Sequence, residues 1–239
     1  MTDTSQLVDY QKCPRFYQYR YRYALEFPVG YSEGSYSKYL VHDPITHWYE
    51  HNGVWVPDWD RQWSEYVNVV KIPPQYLTLA DAKKIFERYV VRFRDVFEKY
   101  SVIHVEKMLP TSIEGFGVKP DVVLMRRSDV TVWPLDIKIS KHEQDTQVFN
   151  RQFLAQVDAT RGVGFIKDFY QIGGKGDWVR EEHLVPKDYL DEWLEETSLS
   201  LESMMRSEEV GIYPKHSPQA CQMGRVICPA KAICEAGML

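Results

Sequence analysis

Gly117-Val-Lys-Pro-Asp121-Val-Val-Leu-Met125, the turn Arg126–Asp129, and then Val130-Thr-Val-Trp-Pro-Leu-Asp136-Ile-Lys138-Ile139 form the stretch that decides how this chain reads. Both flanks are dense in β-branched and apolar residues, so the pattern predicts two adjacent strands, Gly117–Met125 and Val130–Ile139. Residues two apart on a strand face the same side, which brings Asp136 and Lys138 together. Their neighbours Val132, Trp133, Leu135, Ile137 and Ile139 are apolar. A carboxylate inside such a strand is costly unless a cation or a metal ion pairs with it. With Asp121 on the adjoining strand, the natural occupant is a divalent ion bound through oxygen, Mg²⁺ or Mn²⁺. Lys138 beside it can orient a water or neutralise a phosphate. A salt-bridge network among the same three residues is the purely structural alternative.

Working outward, the chain is helical before these strands and mixed after them. Asp3, Thr4 and Ser5 offer caps for a first helix, and Pro14 suits the first turn of a second, Arg15–Tyr23. A helix is expected over Ser37–His51, its regular part starting near His42 because of Pro44. One short helix is expected within Trp55–Val69. Thr78–Tyr100 carries a long apolar stripe through Leu79, Ala82, Ile85, Phe86, Tyr89 and Phe93, which predicts one continuous helix. Strands follow at Ser101–Leu109 and near Ser112–Glu114. Beyond the central pair, Thr146–Gly162 reads as helix. Phe165–Ile172 and Trp178–Val185 form a hairpin about Gly173–Gly176, and Pro186–Glu209 is helical. This order predicts an α/β chain with a central mixed β-sheet flanked by helices, a single domain over 1–239.

Composition is that of a globular chain: 44% hydrophobic and 26% charged residues leave enough apolar surface for a sizeable core. No apolar run approaches the roughly 20 residues that span a bilayer, and the first residues lack the basic and apolar regions of a signal peptide. A cytoplasmic location, with no membrane partner, is the resulting expectation. The net charge of −5 argues mildly against a nucleic-acid partner, although an acidic metal cluster adds to that total. Two basic stretches stand out locally. Arg15–Arg22 is interleaved with tyrosines, and Lys83–Lys99 contains Arg88, Arg92 and Arg94; the second reads as a solvated helix face.

Of the four cysteines, Cys13 stands near the start while Cys221, Cys228 and Cys234 gather near the end. Disulfides do not suit a cytosolic chain, so the group reads as a metal or iron–sulfur site. The spacing is too loose for paired Cys-x₂-Cys zinc units and unlike that of ferredoxins.

Together these features resemble the PD-(D/E)xK nuclease superfamily, and within it the RecB-like branch that carries an iron–sulfur cluster, which includes CRISPR-adaptation nucleases and phage-encoded exonucleases. Ser5-x-Leu7 with Cys13-Pro14-Arg15-x-Tyr17 resembles the family's Cys-Pro opening. Leu40-Val41-His42 before Trp48-Tyr49-Glu50 resembles the helical motif that supplies a histidine ligand, with His47 as a second candidate. Val105-Glu106 resembles a frequent acidic position. Gly117–Asp121 and Leu135-Asp-Ile-Lys138-Ile-Ser-Lys141 resemble the two central strands. Gln156 resembles the glutamine of a Gln-x-x-x-Tyr motif; position 160 is threonine instead, and Gln152 is a rival for the glutamine's role.

The resemblance implies a restriction-endonuclease-like nuclease core over 31–209 and an iron–sulfur subdomain, 1–30 plus 210–239, joining the two chain ends. It implies a 4Fe–4S cluster on Cys13, Cys221, Cys228 and Cys234, with zinc on the same ligands as the alternative. It implies Mg²⁺ or Mn²⁺ held by His42, Asp121, Asp136 and the main-chain carbonyl of Ile137, with Lys138 and Gln156 acting on water or substrate. The expected activity is a metal-dependent DNA exonuclease on single strands or duplex ends, with a helicase, CRISPR or recombination protein as a partner and homo-oligomerisation open. A catalytically silent iron–sulfur protein binding DNA or a partner is the competing reading.

Overall fold

The computed structural model describes residues 2–25, 38–69, 77–140, 150–173, 176–214, 222–223, 226–227, 230 and 234. The elements in chain order begin with β1 (Thr2–Asp3), α1 (Thr4–Lys12) and α2 (Pro14–Tyr17), which runs into a π-helical turn at Gln18–Arg22. A second π-helical turn, Lys38–His42, leads into α3 (Asp43–Glu50), followed by α4 (Trp59–Val69), α5 (Leu79–Arg92) and α6 (Val96–Lys99). The strands β2 (Tyr100–Val105), β3 (Leu109–Pro110), β4 (Phe116–Val118), β5 (Val122–Arg126) and β6 (Val132–Ser140) come next. Then follow α7 (Arg151–Thr160), β7 (Gly164–Gln171), β8 (Trp178–Leu184), α8 (Lys187–Val210) and the two-residue strands β9 (Gln222–Met223) and β10 (Val226–Ile227). The chain divides into two compact units: Met1–Gly30, Ser112–Gly117 and Lys187–Leu239 make one, and Tyr31–Thr111 with Val118–Pro186 the other.

The larger unit is built on a five-stranded mixed sheet in the order β2-β5-β6-β7-β8. Only β6 and β7 run parallel in it, so their connection must cross over, and α7 lies in that crossover. Asn150 caps α7 by accepting from the Phe153 N–H at 3.0 Å. Alternation sorts the strand residues by face. Val122, Leu124, Leu135, Ile137 and Ile166 share one core with Leu40, Ile45, Tyr49, Ile85 and Tyr89 of the helical segments. The opposite parity carries Phe165, whose ring stacks 4.3 Å from Phe153 of α7.

Pro134 sits inside β6 where a missing N–H does least harm, because pairing with β7 begins only at Leu135.

A fully buried carboxylate lies on the apolar parity. Asp168 is fully buried, and Arg180 of the neighbouring β8 binds it through two hydrogen bonds, Nε to Oδ1 at 2.7 Å and Nη2 to Oδ2 at 2.6 Å. Tyr89 of α5 donates to Asp168 Oδ2 at 2.5 Å, and Arg180 also donates to Tyr49 of α3 at 3.0 Å. The guanidinium lies 4.0 Å over the Phe93 ring. The pair is therefore fully hydrogen-bonded, the condition under which a buried ion pair is tolerated.

The smaller unit brings α1 to α8. Tyr10 Oη contacts Ser207 Oγ at 2.9 Å and donates to the Ser203 carbonyl at 3.0 Å, while Tyr17 donates to Glu208 at 2.7 Å. Burial and the Glu208 carboxylate together push the Tyr17 phenol well above its ordinary pKa, which keeps it a donor. β1 pairs in parallel with β4, Thr2 against Phe116 and Asp3 against Gly117.

Three expectations need correction. The long helix over Thr78–Tyr100 is two helices, because Tyr89 and Phe93 turn into the aromatic core together, 4.7 Å apart, and Asp95 then opens the short α6. The strand over Gly117–Met125 is interrupted at Lys119–Asp121, where Pro120 has no N–H to give a ladder. Ser112–Glu114 forms no strand; it leads into a turn at Gly115, whose φ of +75° suits glycine.

Removing one member of the Asp168–Arg180 pair leaves a buried charge without its partner. Asp168→Ala is expected to lower stability by about 3–5 kcal/mol in urea unfolding, whereas the double change Asp168→Leu/Arg180→Met recovers most of that loss.

A candidate metal centre on the central strands

Register places three carboxylates side by side. Val105 pairs with Val122, and the Glu106 N–H donates to the Asp121 carbonyl at 2.9 Å, so Glu106 stands next to Asp121. Val122 pairs with Leu135, so Asp121 in turn stands next to Asp136. The Ile137 N–H donates to Asp121 Oδ2 at 2.7 Å, which fixes that carboxylate against β6.

His42 arrives from the helical side. It closes the π-helical turn before α3, with Pro44 in the first turn of that helix, where proline's fixed φ is favourable. Its Nε2 lies 3.1 Å from Asp121 Oδ2, and its Nδ1 lies 3.3 Å from Asp43 Oδ1 and 3.9 Å from Glu106 Oε1. Ligand atoms of His42, Glu106 and Asp121 all lie within 4.8 Å of one another. Lys119 pairs with the other oxygen of Glu106.

Asp136 is held differently. It has no exposed surface; Gln152 of α7 donates to Oδ1 at 3.1 Å, and Lys138 Nζ lies 3.0 Å from Oδ2. That last contact is an ion pair without the direction of a hydrogen bond, and Oδ2 has no hydrogen-bond partner among the described residues.

The electrostatics follow from burial against neighbours. Burial raises the Asp136 pKa, with Asp121 adding to it, against the opposing pull of Lys138. Asp121 is also buried, but the His42 hydrogen bond, with help from Lys138 and the Ile137 N–H, holds it below the ordinary carboxylate range. His42 is pushed up to about 10: burial opposes its protonation, and the bonds to Asp121 and Asp43 outweigh burial. Lys138 is likewise raised despite burial, chiefly by Asp136. A set of three carboxylates beside an imidazole suits a hard divalent cation bound through oxygen and nitrogen.

The structure thus brings together His42, Asp121, Asp136 and Lys138, and Ile137 contributes its N–H. Glu106 joins them. Gln156 lies on α7 with both amide atoms buried and without a hydrogen-bond partner among the described residues, so Gln152 is the α7 glutamine that touches Asp136. Thr160, in the place of the expected tyrosine, donates back to the Gln156 carbonyl at 2.8 Å. His47 points elsewhere, stacking 5.2 Å from Trp55.

Two contacts escaped the sequence reading. Lys119 stands two residues before Asp121, an offset that puts side chains of an extended chain on one side. Asp43 simply follows His42.

Cys13 and Cys234 belong to one small apolar cluster with Phe16, Tyr19 and Ala230. Cys221 and Cys228, like Lys141, lie outside the described residues, and among the described residues no group of three thiols is assembled. No described helix is long and apolar enough to cross a membrane.

Known proteins resemble this chain in structure rather than in sequence. No family model matches it, and neither does any curated protein. A proposed exonuclease from Eubacterium rectale superposes with a TM-score of 0.50 at 14% identity, over 94% of this chain and 88% of that one. An alkaline exonuclease from Laribacter hongkongensis gives 0.43 at 12% identity over 87% and 90%, and its complex with dAMP 0.41 at 13% over the same shares. At such identities the likeness to the Eubacterium protein is one of fold: a mixed α/β architecture shared with a protein of the exonuclease type.

If Glu106 is a ligand, Glu106→Gln is expected to weaken Mn²⁺ binding by about 10–100-fold in isothermal titration calorimetry, while the same change at exposed Glu114 leaves it unchanged.

Proposed function

We propose that this chain is a metal-dependent deoxyribonuclease of the PD-(D/E)xK superfamily, in its RecB-like iron–sulfur branch, hydrolysing DNA from single-stranded or duplex ends. The observation that carries the reading is the row Glu106–Asp121–Asp136 across three adjoining strands, with His42 at one end and Lys138 beside Asp136.

In this reading His42, Glu106, Asp121 and Asp136 hold Mg²⁺ or Mn²⁺. When bound, such an ion lowers the pKa of a water and stabilises charge on the phosphate. The protein's own groups do the rest. In the metal-free site Asp136 and Asp121 hold the Lys138 pKa above that of a free lysine, which favours the ammonium form. Its ammonium therefore donates, orienting the attacking water and offsetting negative charge as it grows on phosphorus. The Ile137 N–H keeps the Asp121 carboxylate turned toward His42. Gln152 holds Asp136 from the α7 side. Gln156 is wholly buried with its amide unpartnered among the described residues, so the role of the family's glutamine falls to Gln152 in this reading. Attack by water at phosphorus leaves a 5′-phosphate and a 3′-hydroxyl.

The same reading assigns a 4Fe–4S cluster to Cys13, Cys221, Cys228 and Cys234. Support for it is the meeting of Cys13 and Cys234, from opposite ends of the sequence, in one apolar cluster. Bound only to the folded chain, the group would add to stability.

Anaerobically purified protein is expected to be brown, with broad visible absorption; a colourless protein containing zinc would refute the cluster. The same preparation, given Mn²⁺ or Mg²⁺, is expected to degrade end-labelled single-stranded DNA. Asp136→Ala and Lys138→Ala are each expected to lower that rate by at least about 100-fold, with the circular dichroism spectrum unchanged. Undiminished cleavage by both variants would overturn the nuclease assignment.

A further inference from the structure

The polar face of the sheet does not end at Asp136 and Lys138. In the parallel β6–β7 register Asp136 pairs with Lys167 and Lys138 with Phe169, so these β7 side chains continue the same face. Lys167 is only 9% exposed at its side chain, and its ammonium lies 3.9 Å from Glu181 and 5.5 Å over the Phe169 ring. A nearly buried ammonium whose one ionic contact is this long can take a closer anion.

An open cleft of about 940 Å³ is lined both by Lys167, Phe169 and Val179 of that face and by Lys84, Arg88 and Arg92 of α5, whose Ile85 and Tyr89 pack on the other face, so it passes round the edge strand β8. Those three cations are spaced four residues apart and all are exposed, forming one basic row along the helix. Each step of four residues rises about 6 Å, the scale on which phosphates follow one another along a nucleic-acid strand. Phe169, half-buried, offers an aromatic surface beside Lys138 of β6. Glu87, Asp177 and Glu181 also border the cleft. Of these, Glu181 is engaged by Lys167 and by His183 at 3.3 Å.

We propose that this cleft is the track for the single strand flanking the scissile phosphate: Lys84, Arg88 and Arg92 contact successive phosphates, Lys167 neutralises the phosphate nearest Asp136, and Phe169 stacks on a base. The proposal deepens the nuclease reading and rests on it only for the position of the scissile bond; strand binding in the cleft is independent of catalysis. It recasts the α5 basic residues, which sequence alone presents as a solvated face. Recognition is of backbone and base plane, so the preference is for single strands of any sequence.

The test is fluorescence anisotropy of a labelled single-stranded DNA oligonucleotide with divalent metal chelated, across a salt series. Lys84→Gln/Arg92→Gln spares the contact of Arg88 with the Gly176 carbonyl, and so the turn it supports. This double variant is expected to bind about tenfold more weakly, and the slope of log affinity on log salt is expected to fall by about 1.4, as for two lost single-strand phosphate contacts. Phe169→Leu is expected to weaken binding with the slope unchanged. Wild-type affinity and slope in the double variant would overturn the proposal, as would absence of binding by the wild type. Salt-dependent binding lost in the double variant, by a wild-type protein that cleaves nothing when metal is restored, would uphold the track and refute the catalytic reading alone.

Discussion

The buried pair Asp168–Arg180 is the constraint around which the larger unit is organised. Its two hydrogen bonds tie β7 to β8, and the tyrosines that complete it, Tyr49 and Tyr89, come from α3 and α5. A single polar cluster therefore sets the sheet edge and two helices in one arrangement, in surroundings that are otherwise aromatic. An apolar core of the same volume tolerates small shifts of its elements; a desolvated carboxylate tolerates none that break its bonds. Both helices lead toward function, since α3 begins directly after His42 and α5 carries the basic row.

On the opposite face the same logic runs in reverse. There the charges are incompletely paired: Asp136 has an oxygen without a hydrogen bond, Lys167 has one distant carboxylate, and the Gln156 amide has no partner among the described residues. Two sides of one sheet thus handle buried charge in contrary ways, closed on the helical side and open on the side where chemistry is proposed. Unsatisfied polar groups cost stability, and of those on this face Asp136 and Lys167 are the ones to which the proposed function and track give a role.

Much of this was legible in the chain itself, because a strand's alternation has a period of two. Asp136 and Lys138 had to share a face, and adjacency of the two central strands put Asp121 near them. The strands of the sheet and of the hairpin about Gly173–Gly176 were readable for the same reason, and the helix of the crossover because its apolar residues return at the helical period. The choice between Gln152 and Gln156 was not, since it depends on the angular setting of α7 over β6. The Asp168–Arg180 pair was half visible: alternation sets Asp168 among Ile166 and Tyr170, which announces a buried charge. Its partner is named only by the hairpin register, in which Asp168 stands opposite Arg180. Interruptions at Phe93–Asp95 and Lys119–Asp121 were hidden because local propensity continues through both, and tertiary packing or a single proline decides.

The parallel seam between β6 and β7 bears on how the molecule comes into being. β5–β6 and β7–β8 are each antiparallel pairs of sequence neighbours and can form locally, whereas the seam joins strands separated by a whole helical crossover. Contacts of that kind carry a larger loop-closure entropy cost than those of a hairpin. Asp136 lies on one side of the seam and Lys167 on the other. The acidic half and the basic half of the surface thus belong to separate antiparallel pairs, and the seam joins them. Loss of the seam would separate the two halves, so the proposed continuous track depends on that pairing.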